Sequence, residues 1–249
     1  MTCITQLFHE YSHQYQNKNC IIIGNGPSLN NVPMDFLTLY PSFGSNCIYY
    51  MQELNGFTPT YHVVEDNKVF QENKSAIAMF KGPIKIYPQE YCKQLEHDQF
   101  DYQFQLDQGF YLQSSKYYAI PRFNATQEKI VYAGQSVTIA MLQIAFNLGF
   151  RNIFLVGMDF NYVTNSVNIK QRNNNHIISQ GDDPNHFNPN YFGKGKTWKD
   201  PRLNRVLRSY FHAQSIFRSF TGSIYNATVG GKLEIFPRLT ISEIPALFC

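Results

Sequence analysis

Two short apolar stretches, residues 20–23 (CIII) and 153–156 (IFLV), contain no polar position, and a glycine follows each of them. A strand that is apolar at every position is usually covered on both faces, as the strands of a parallel sheet are. Before the second stretch, apolar residues recur at i, i+3 and i+4 spacing over residues 137–148, which predicts a helix that Ser136 caps and Gly149 closes. This alternation predicts an α/β fold with a doubly wound, mostly parallel sheet.

Weaker patterns extend the alternation along the rest of the chain. Short β-branched and aromatic runs predict strands, and longer segments with helical spacing separate them. The expected elements are a helix within residues 2–16, strands at 61–65, 84–87 and 223–228, and helices at 67–80 and 203–220.

Residues 159–202 break this pattern, because they are rich in Asn, Gly, Asp, His and Pro and have no clear period. A connection of that length inside a compact domain is usually a functional lid or lacks structure. We therefore predict one domain over residues 1–249, with a lid over about residues 160–202.

Composition excludes several classes of protein. With 43% hydrophobic and 16% charged residues, the chain is too apolar to be disordered, and a net charge of +3 does not indicate a general nucleic-acid binder. No apolar run approaches the ~18 residues that cross a bilayer, and no secretory leader pattern is found. The five cysteines are scattered without a CxxC pair, which argues against a zinc site and favours a cytoplasmic protein with reduced thiols.

The turn GNGPSL (residues 24–29) follows the first apolar strand. In open α/β sheets, ligands bind beyond the carboxyl ends of the strands, and glycines let backbone N–H groups approach a phosphate. Leu29 stands where a dinucleotide turn has its third glycine, and Pro27 has no N–H, so an NAD site is disfavoured. Asn25 and Ser28 can bind a nucleotide or its sugar; the alternative is an ordinary turn with Pro27 at a helix start.

Two carboxylates, Asp66 and Asp159, directly follow predicted strands and are expected at the carboxyl edge of the sheet. They suit a substrate hydroxyl or a ribose, and the alternative is that each caps a helix or a turn. Neither belongs to a DxD motif, and a metal would need a third ligand, so no metal is expected.

His186 lies within the predicted lid, near Tyr191 and Tyr162. The pKa of a histidine lies near physiological pH, which suits a general base, and tyrosines can donate to a leaving phosphate. His176 is a rival base, and a simple surface position is the alternative for either histidine.

The segment GKGKT (residues 193–197) is not a phosphate-binding P-loop, because Asn190 occupies the position of the first glycine and no strand precedes it. Residues 194–208 nevertheless hold six Lys and Arg against one Asp. They can form an anion site for phosphates, acidic sugars or lipid head groups, or a solvated face.

Three segments together resemble the bacterial sialyltransferases of glycosyltransferase family 42: IIIGNGPSL (residues 21–29), SNCIYY (45–50) and the helix–strand unit AGQSVTIAMLQIAFNLGFRNIFLVGMDFNY (133–162). GNGPSL is also shared with a wider Rossmann-like group. That group includes archaeal 6-hydroxymethylpterin diphosphokinase-like proteins and polysaccharide-locus proteins, which the ending NATVGGKLEIFPR (226–238) resembles more. The resemblance implies a Rossmann-like, GT-A-variant fold.

The resemblance also implies roles for individual residues. Asn25 and Ser28 would contact the nucleotide of a CMP-activated sugar, and Asn46 would lie by its sugar or phosphate. Asp66 stands near an Asn that binds the nucleotide in the sialyltransferases, which is a departure from their pattern. The expected nucleotide-binding set is Asn25, Gly26, Ser28, Asn46, Asp66, Gln135, Ser136 and Asp159.

On the catalytic side, the resemblance implies that Ser136 contacts the donor carboxylate or phosphate, Tyr162 the leaving phosphate, and His186 the acceptor hydroxyl; Tyr191 would assist at the phosphate. The expected function is a metal-independent, cofactor-free glycosyltransferase that moves sialic acid or a similar sugar from its CMP donor to a glycan acceptor in surface-polysaccharide synthesis. The alternatives are an ATP-dependent diphosphotransferase and a non-catalytic nucleotide-binding protein. A peripheral membrane contact through residues 194–208 and self-association stay open.

Overall fold

The computed structural model describes residues 2–164, 169–173 and 176–248. A short 3-10 helix, Pro27–Asn31, follows the second strand. In the described ranges the strands and helices are, in chain order, β1 (Thr2–Cys3), α1 (Ile4–Tyr11), β2 (Asn19–Ile23), α2 (Met34–Leu39), β3 (Ser42–Ser45), α3 (Tyr49–Asn55), β4 (Tyr61–Val63), α4 (Asn67–Met79), β5 (Ile84–Pro88), α5 (Gln89–Cys92), β6 (Tyr102–Asp107), β7 (Ile130–Tyr132), α6 (Val137–Asn147), β8 (Asn152–Val156), β9 (Ile169–Asn173), β10 (His176–Ser179), β11 (Thr197–Lys199), α7 (Leu203–Ser219), β12 (Ser223–Asn226) and α8 (Ile244–Phe248).

The central sheet has the order β1-β6-β5-β4-β3-β2-β8-β12, with β7 beside β6. All of its strand pairs in the described ranges are parallel, which confirms the predicted Rossmann-like α/β fold. From β2 the chain builds outward through β3, β4, β5 and β6, and then returns to place β8 on the other side of β2. This reversal opens a crevice at the carboxyl ends of β2 and β8, where sheets of this kind bind ligands.

The apolar strands are covered on both faces, as their composition predicts. In β2, Cys20 and Ile22 pack into one core while Ile21 and Ile23 pack into the other. Residues of β8 divide in the same alternating way between the two cores. A strand between two cores has no solvent face, and this explains why neither stretch contains a polar residue.

Helix α6 begins and ends close to the predicted positions, but it is buried on all sides rather than on one face, since every residue from Thr138 to Asn147 is buried. Its two amide side chains therefore need partners inside the protein. The Gln143 Oε1 atom accepts from the backbone N–H groups of Asn124 and Tyr132, and the Asn147 Nδ2 atom donates to the carbonyl of Asn124. These bonds hold the irregular segment before α6 against the helix.

Among the differences from the sequence prediction, two concern strands close to the cavity described below. Strand β3, with the sequence SFGS, is buried at all four positions, yet its small polar residues give no apolar run. Within the predicted lid, β9, β10 and β11 form a small antiparallel sheet. There Ile177 and Trp198 pack together with Phe192. Among the described side chains of these strands, so few apolar ones are buried that the sequence shows no visible period.

Among the described residues, no helix combines the length and the apolar character needed to cross a membrane. Four of the cysteines, Cys3, Cys20, Cys47 and Cys92, are free thiols.

Candidate functional site

A cavity of about 530 Å³ lies over the carboxyl ends of β2, β3, β4 and β8, which is within the range of small-molecule sites. Its lower wall comes from the strand ends. Its upper wall comes from α7 and from parts of the predicted lid segment, namely residues 160–162, 185–186, 191–192 and 197–202. Apart from Ser28, all of the site residues that the sequence predicts line this cavity: Asn25, Gly26, Asn46, Asp66, Gln135, Ser136, Asp159, Tyr162, His186 and Tyr191. A second hollow, of about 500 Å³, lies on the outer side of α7 and is lined by Pro121, Leu207, Arg208, Phe211, His212, Ser215 and Ile235.

The glycine-rich turn brings the ends of β2 and β8 into direct contact. Gly24 donates its N–H to the carbonyl of Val156 at 2.8 Å, and Gly26 donates to the carbonyl of Gly157 at 2.9 Å. A Cβ atom at Gly24 would overlap the Gly157 carbonyl, and one at Gly26 would overlap the Asp159 carboxylate. These two glycines are therefore required by the close approach of two backbones.

Both predicted carboxylates are engaged as caps. Asp159 accepts from the Ser28 hydroxyl at 2.7 Å and faces the Ser28 N–H, at the start of the 3-10 helix. This bond turns Ser28 towards Asp159, which explains its absence from the cavity wall. Asp66 accepts from the N–H groups of Lys68 and Val69 at 2.7 and 3.1 Å and caps α4. Each carboxylate therefore caps a helix, as the alternative interpretation expected, and both also border the cavity.

Three amide side chains on the cavity wall have an oxygen that lacks a hydrogen-bond partner among the described residues: Asn25, Asn46 and Gln135. The orientation of the Asn25 amide is fixed, since Nδ2 donates to the backbone carbonyl and the hydroxyl of Ser45, both at 3.2 Å. Asn46 and Gln135 have left-handed backbone conformations, with φ of 53° and 71°. Buried acceptors without a donor are uncommon, and a bound molecule with N–H or O–H groups can satisfy them.

A buried histidine holds Asn46 in its unusual conformation. The His62 Nε2 atom lies 2.9 Å from the Asn46 carbonyl and Nδ1 lies 2.7 Å from the Tyr87 hydroxyl. Burial lowers the pKa of His62 to about 3, so the ring is neutral. Nε2 then donates to Asn46, because a carbonyl only accepts, and Nδ1 accepts from Tyr87.

His186 is paired with a carboxylate. Its Nδ1 atom lies 2.7 Å from the Asp183 Oδ2 atom, and the His186 side chain is 11% exposed. Burial alone would raise the pKa of Asp183, but hydrogen bonds from His186 and from the N–H groups of Asn185 and Phe192 outweigh it and lower the pKa. The imidazole ring also stacks on Tyr191, with centroids 3.9 Å apart. Nδ1 is thus occupied, and Nε2 is the nitrogen that can take a proton.

The lid segment that holds His186 is attached to the glycine-rich turn. Phe187 donates its N–H to the carbonyl of Asn25 at 2.8 Å, and the Asn30 Nδ2 atom donates to the carbonyl of Phe187 at 3.0 Å. His186 and the glycine-rich turn therefore lie on the wall of one cavity. The rival base, His176, begins β10, and its side chain lies outside the described part of the structure.

The basic segment does not form one continuous patch. Lys199, Arg202 and Arg205 line the cavity, whereas Arg208 borders the outer hollow of α7. The Lys196 ammonium donates to the carbonyls of Asn190 and Tyr191, at the back of the lid. Three of the six cations are therefore placed to meet an anionic ligand in the cavity.

Sequence reasoning missed Asp183, Glu65 and Tyr111. Asp183 precedes His186 by three residues in DDPNH, a spacing that is a usable signal for a hydrogen-bonded pair. Glu65 is adjacent to Asp66 at the same strand end, and the Tyr111 hydroxyl donates to its Oε1 atom at 3.0 Å. Tyr111 lies 46 residues from Glu65 in the chain, and no sequence pattern predicts their contact.

In the described ranges, no group of three or more His, Cys, Asp or Glu side chains is placed to hold a metal ion.

A family model described as 6-hydroxymethylpterin diphosphokinase MptE-like matches residues 1–165. No curated protein matches the chain. The matched region includes the central strands, the glycine-rich turn and Asp159, and it ends before the segment with His186. The match agrees with the resemblance to the wider Rossmann-like group, and it gives no support to the resemblance to the sialyltransferases. Because the model covers well over half of the 249 residues, the chain belongs to the MptE-like family.

Proposed function

We propose that this protein is a transferase that moves a sugar from a CMP-activated donor to a hydroxyl group of a glycan, with His186 as the general base. The observation that carries the proposal is the Asp183–His186 pair, 2.7 Å apart, on the wall of the cavity that the nucleotide turn also lines. Membership in the MptE-like family supports a transferase-type enzyme in general.

In the reaction, Asp183 accepts a hydrogen bond from Nδ1 and so fixes the tautomer in which Nε2 has a lone pair. Nε2 removes the proton of the acceptor hydroxyl as its oxygen bonds to the anomeric carbon of the sugar. The bond from that carbon to the phosphate oxygen breaks, and CMP leaves with the bonding pair. A positioned base of this kind contributes about 10²- to 10⁴-fold to the rate.

The departing phosphate needs donors and positive charge. Ser136, Val137 and Thr138, at the start of α6, line the cavity, and a helix N-terminus favours an anion. Lys199 and Arg202 supply positive charge from the lid side. Tyr162 is 38% exposed and can donate a hydrogen bond to the same phosphate.

The direct test is a donor panel of CMP-, UDP- and GDP-activated sugars, in the presence of EDTA, with release of the free nucleotide as the readout. We expect release of CMP that depends on an acceptor glycan. His186→Ala should lower turnover by at least about 10²-fold and leave CMP affinity nearly unchanged, while His176→Ala is the matched control. A dead His176→Ala variant beside an active His186→Ala variant would show that the base is misassigned.

The description of the family model favours a second candidate, transfer of a diphosphate from ATP to the hydroxymethyl group of a pterin. His186 would then remove the proton of that hydroxymethyl group, and AMP would leave. AMP release that requires both a hydroxymethylpterin and Mg²⁺, without CMP release from any sugar donor, would select this reaction. Nucleotide binding without turnover on either substrate set would favour a non-catalytic role.

A further inference from the structure

Glu65 is a buried carboxyl on the cavity wall, beyond the end of β4. It is 8% exposed, and its Oε1 atom accepts from the Tyr111 hydroxyl at 3.0 Å. Its backbone carbonyl accepts from the Tyr91 hydroxyl at 2.7 Å. Two tyrosines from different elements thus hold Glu65 in place, and both of them also line the cavity.

No ion pair of the described residues includes Glu65. The groups that face it are Asp66 on the same strand end, Tyr91 of α5, Tyr111 of the segment after β6, and Lys199 of β11. Burial, assisted by the charge of Asp66, raises the pKa of Glu65 to about 7, against smaller opposite effects of the Tyr111 hydrogen bond and of Lys199. At neutral pH a large share of the molecules therefore has a neutral carboxyl here.

A neutral carboxyl presents one donor and one acceptor side by side, whereas a carboxylate presents two acceptors. The amino group and adjacent ring nitrogen of cytosine complement the neutral form with two hydrogen bonds, and so does the imide edge of uracil. The two N–H groups on one edge of guanine or of a pterin complement the carboxylate, as does the pair of hydroxyls of a ribose. The protonation state of Glu65 thus decides which part of a ligand it can hold.

We propose that Glu65 recognises the heterocycle of the bound nucleotide through a two-point hydrogen bond between its carboxyl group and an edge that has one donor and one acceptor, such as that of cytosine. Tyr91 and Tyr111 both line the cavity beside the carboxyl, and aromatic side chains commonly stack on a base. The inference rests on the proposed function, because it names the part of the CMP donor that the end of β4 holds.

The experiment is calorimetry of cytidine and of CMP with the wild type, Glu65→Gln and Glu65→Leu between pH 5.5 and 8.5. Above pH 7 the wild-type affinity should fall, approaching about tenfold per pH unit. Glu65→Gln should keep the low-pH affinity at every pH, because its amide has one donor and one acceptor at all times. Glu65→Leu should bind about 10- to 100-fold more weakly, the usual loss for a two-point contact to a base.

Three controls isolate Glu65. The phosphate of CMP also titrates in this range, but it does so equally in the wild type and in Glu65→Gln. Glu53→Gln changes an exposed glutamate of α3 and should leave both affinities and the pH profile unchanged. Binding of 2′-deoxycytidine tests the ribose, and it should match that of cytidine.

Other results would overturn the inference. A wild-type affinity that rises with pH and is lost in Glu65→Gln would assign the carboxylate form, and hence GMP, a pterin or the ribose, as its partner. Identical pH profiles in the wild type and in Glu65→Gln would show that Glu65 does not recognise the base. If CMP still binds and is still released from its sugar in that case, the proposed function is not contradicted. Absence of any cytidine or CMP binding would overturn both.

Discussion

Residues near His186 show how one carboxylate sets the chemistry of a neighbour. Asp183 accepts from the imidazole and from two backbone N–H groups, so it fixes both the tautomer of the ring and the shape of the lid around it. Its neighbour Asp182 has the same chemistry but is exposed.

This contrast gives a first prediction. Asp183→Asn should lower turnover by about 10²-fold or more, since the amide no longer stabilises the protonated base that forms during transfer, while CMP affinity changes little. Asp182→Asn is the matched control and should behave as the wild type. Steady-state kinetics together with calorimetry separates the two effects, and equal losses in both variants would refute the special role of Asp183.

Glu65 gives a prediction about stability. Its pKa is raised to about 7 in the folded protein, from 4.5, so its favourable contribution is fully present below pH 4.5 and is lost as pH rises through 7. The loss amounts to at most about 3.4 kcal/mol in the free energy of unfolding. Urea unfolding at pH 5 and pH 8 should show a smaller difference between the two pH values for Glu65→Gln than for the wild type, and an unchanged difference would contradict the assignment.

Among the elements, α6 departs most from a surface helix. Because it is buried along its whole length, its amide side chains act as internal connectors to the segment of residues 124–132. Gln143 accepts two backbone N–H groups and donates to the carbonyls of Tyr132 and Ile139.

Gln143→Leu should therefore be strongly destabilising, although leucine fits an apolar helix better by composition. It leaves buried N–H and C=O groups of the facing segment unpaired, at a cost of about 2–4 kcal/mol. Gln71→Leu, at an exposed position of α4, should change the free energy of unfolding by no more than about 0.5 kcal/mol. Similar losses for the two variants, measured by denaturant unfolding, would show that the amide network contributes nothing.

At the scale of the whole molecule, the lid and the glycine-rich turn are joined by hydrogen bonds and by the burial of Phe187 and Tyr191 in the same core as Leu29. The Phe187 N–H meets the carbonyl of Asn25, and Asn30 meets the carbonyl of Phe187. A ligand that fills the cavity between them would add contacts to both sides.

Hydrogen exchange should reveal that coupling. We expect CMP to slow exchange of the amides of residues 185–192, and of Phe187 in particular, because opening of the lid would then also break contacts with the ligand. Amides of β8, buried in the central sheet, serve as the internal reference. Equal and strong protection of the lid with and without CMP would contradict this expectation.

The amino-acid sequence by itself determined the fold class, since a strand without polar residues has to lie between two layers, and Cys20 to Ile23 do so. It also determined the capping of α6 by Ser136, because a cap depends on neighbours in the chain, whereas Gly24 and Gly26 are required by contacts with the distant end of β8. The predicted site residues at the strand ends line one cavity, because parallel strands end at one edge of the sheet.

Only the tertiary structure decided what those residues touch. Strand β3 has small polar side chains and therefore no apolar pattern that would predict it. The contact of Glu65 with Tyr111 and that of Asn25 with Phe187 join segments that are far apart in the chain. Such contacts depend on how the sheet orders its strands and how the lid folds back over their ends. Local spacing does not encode them, because their energy is gained only when the whole sheet has formed.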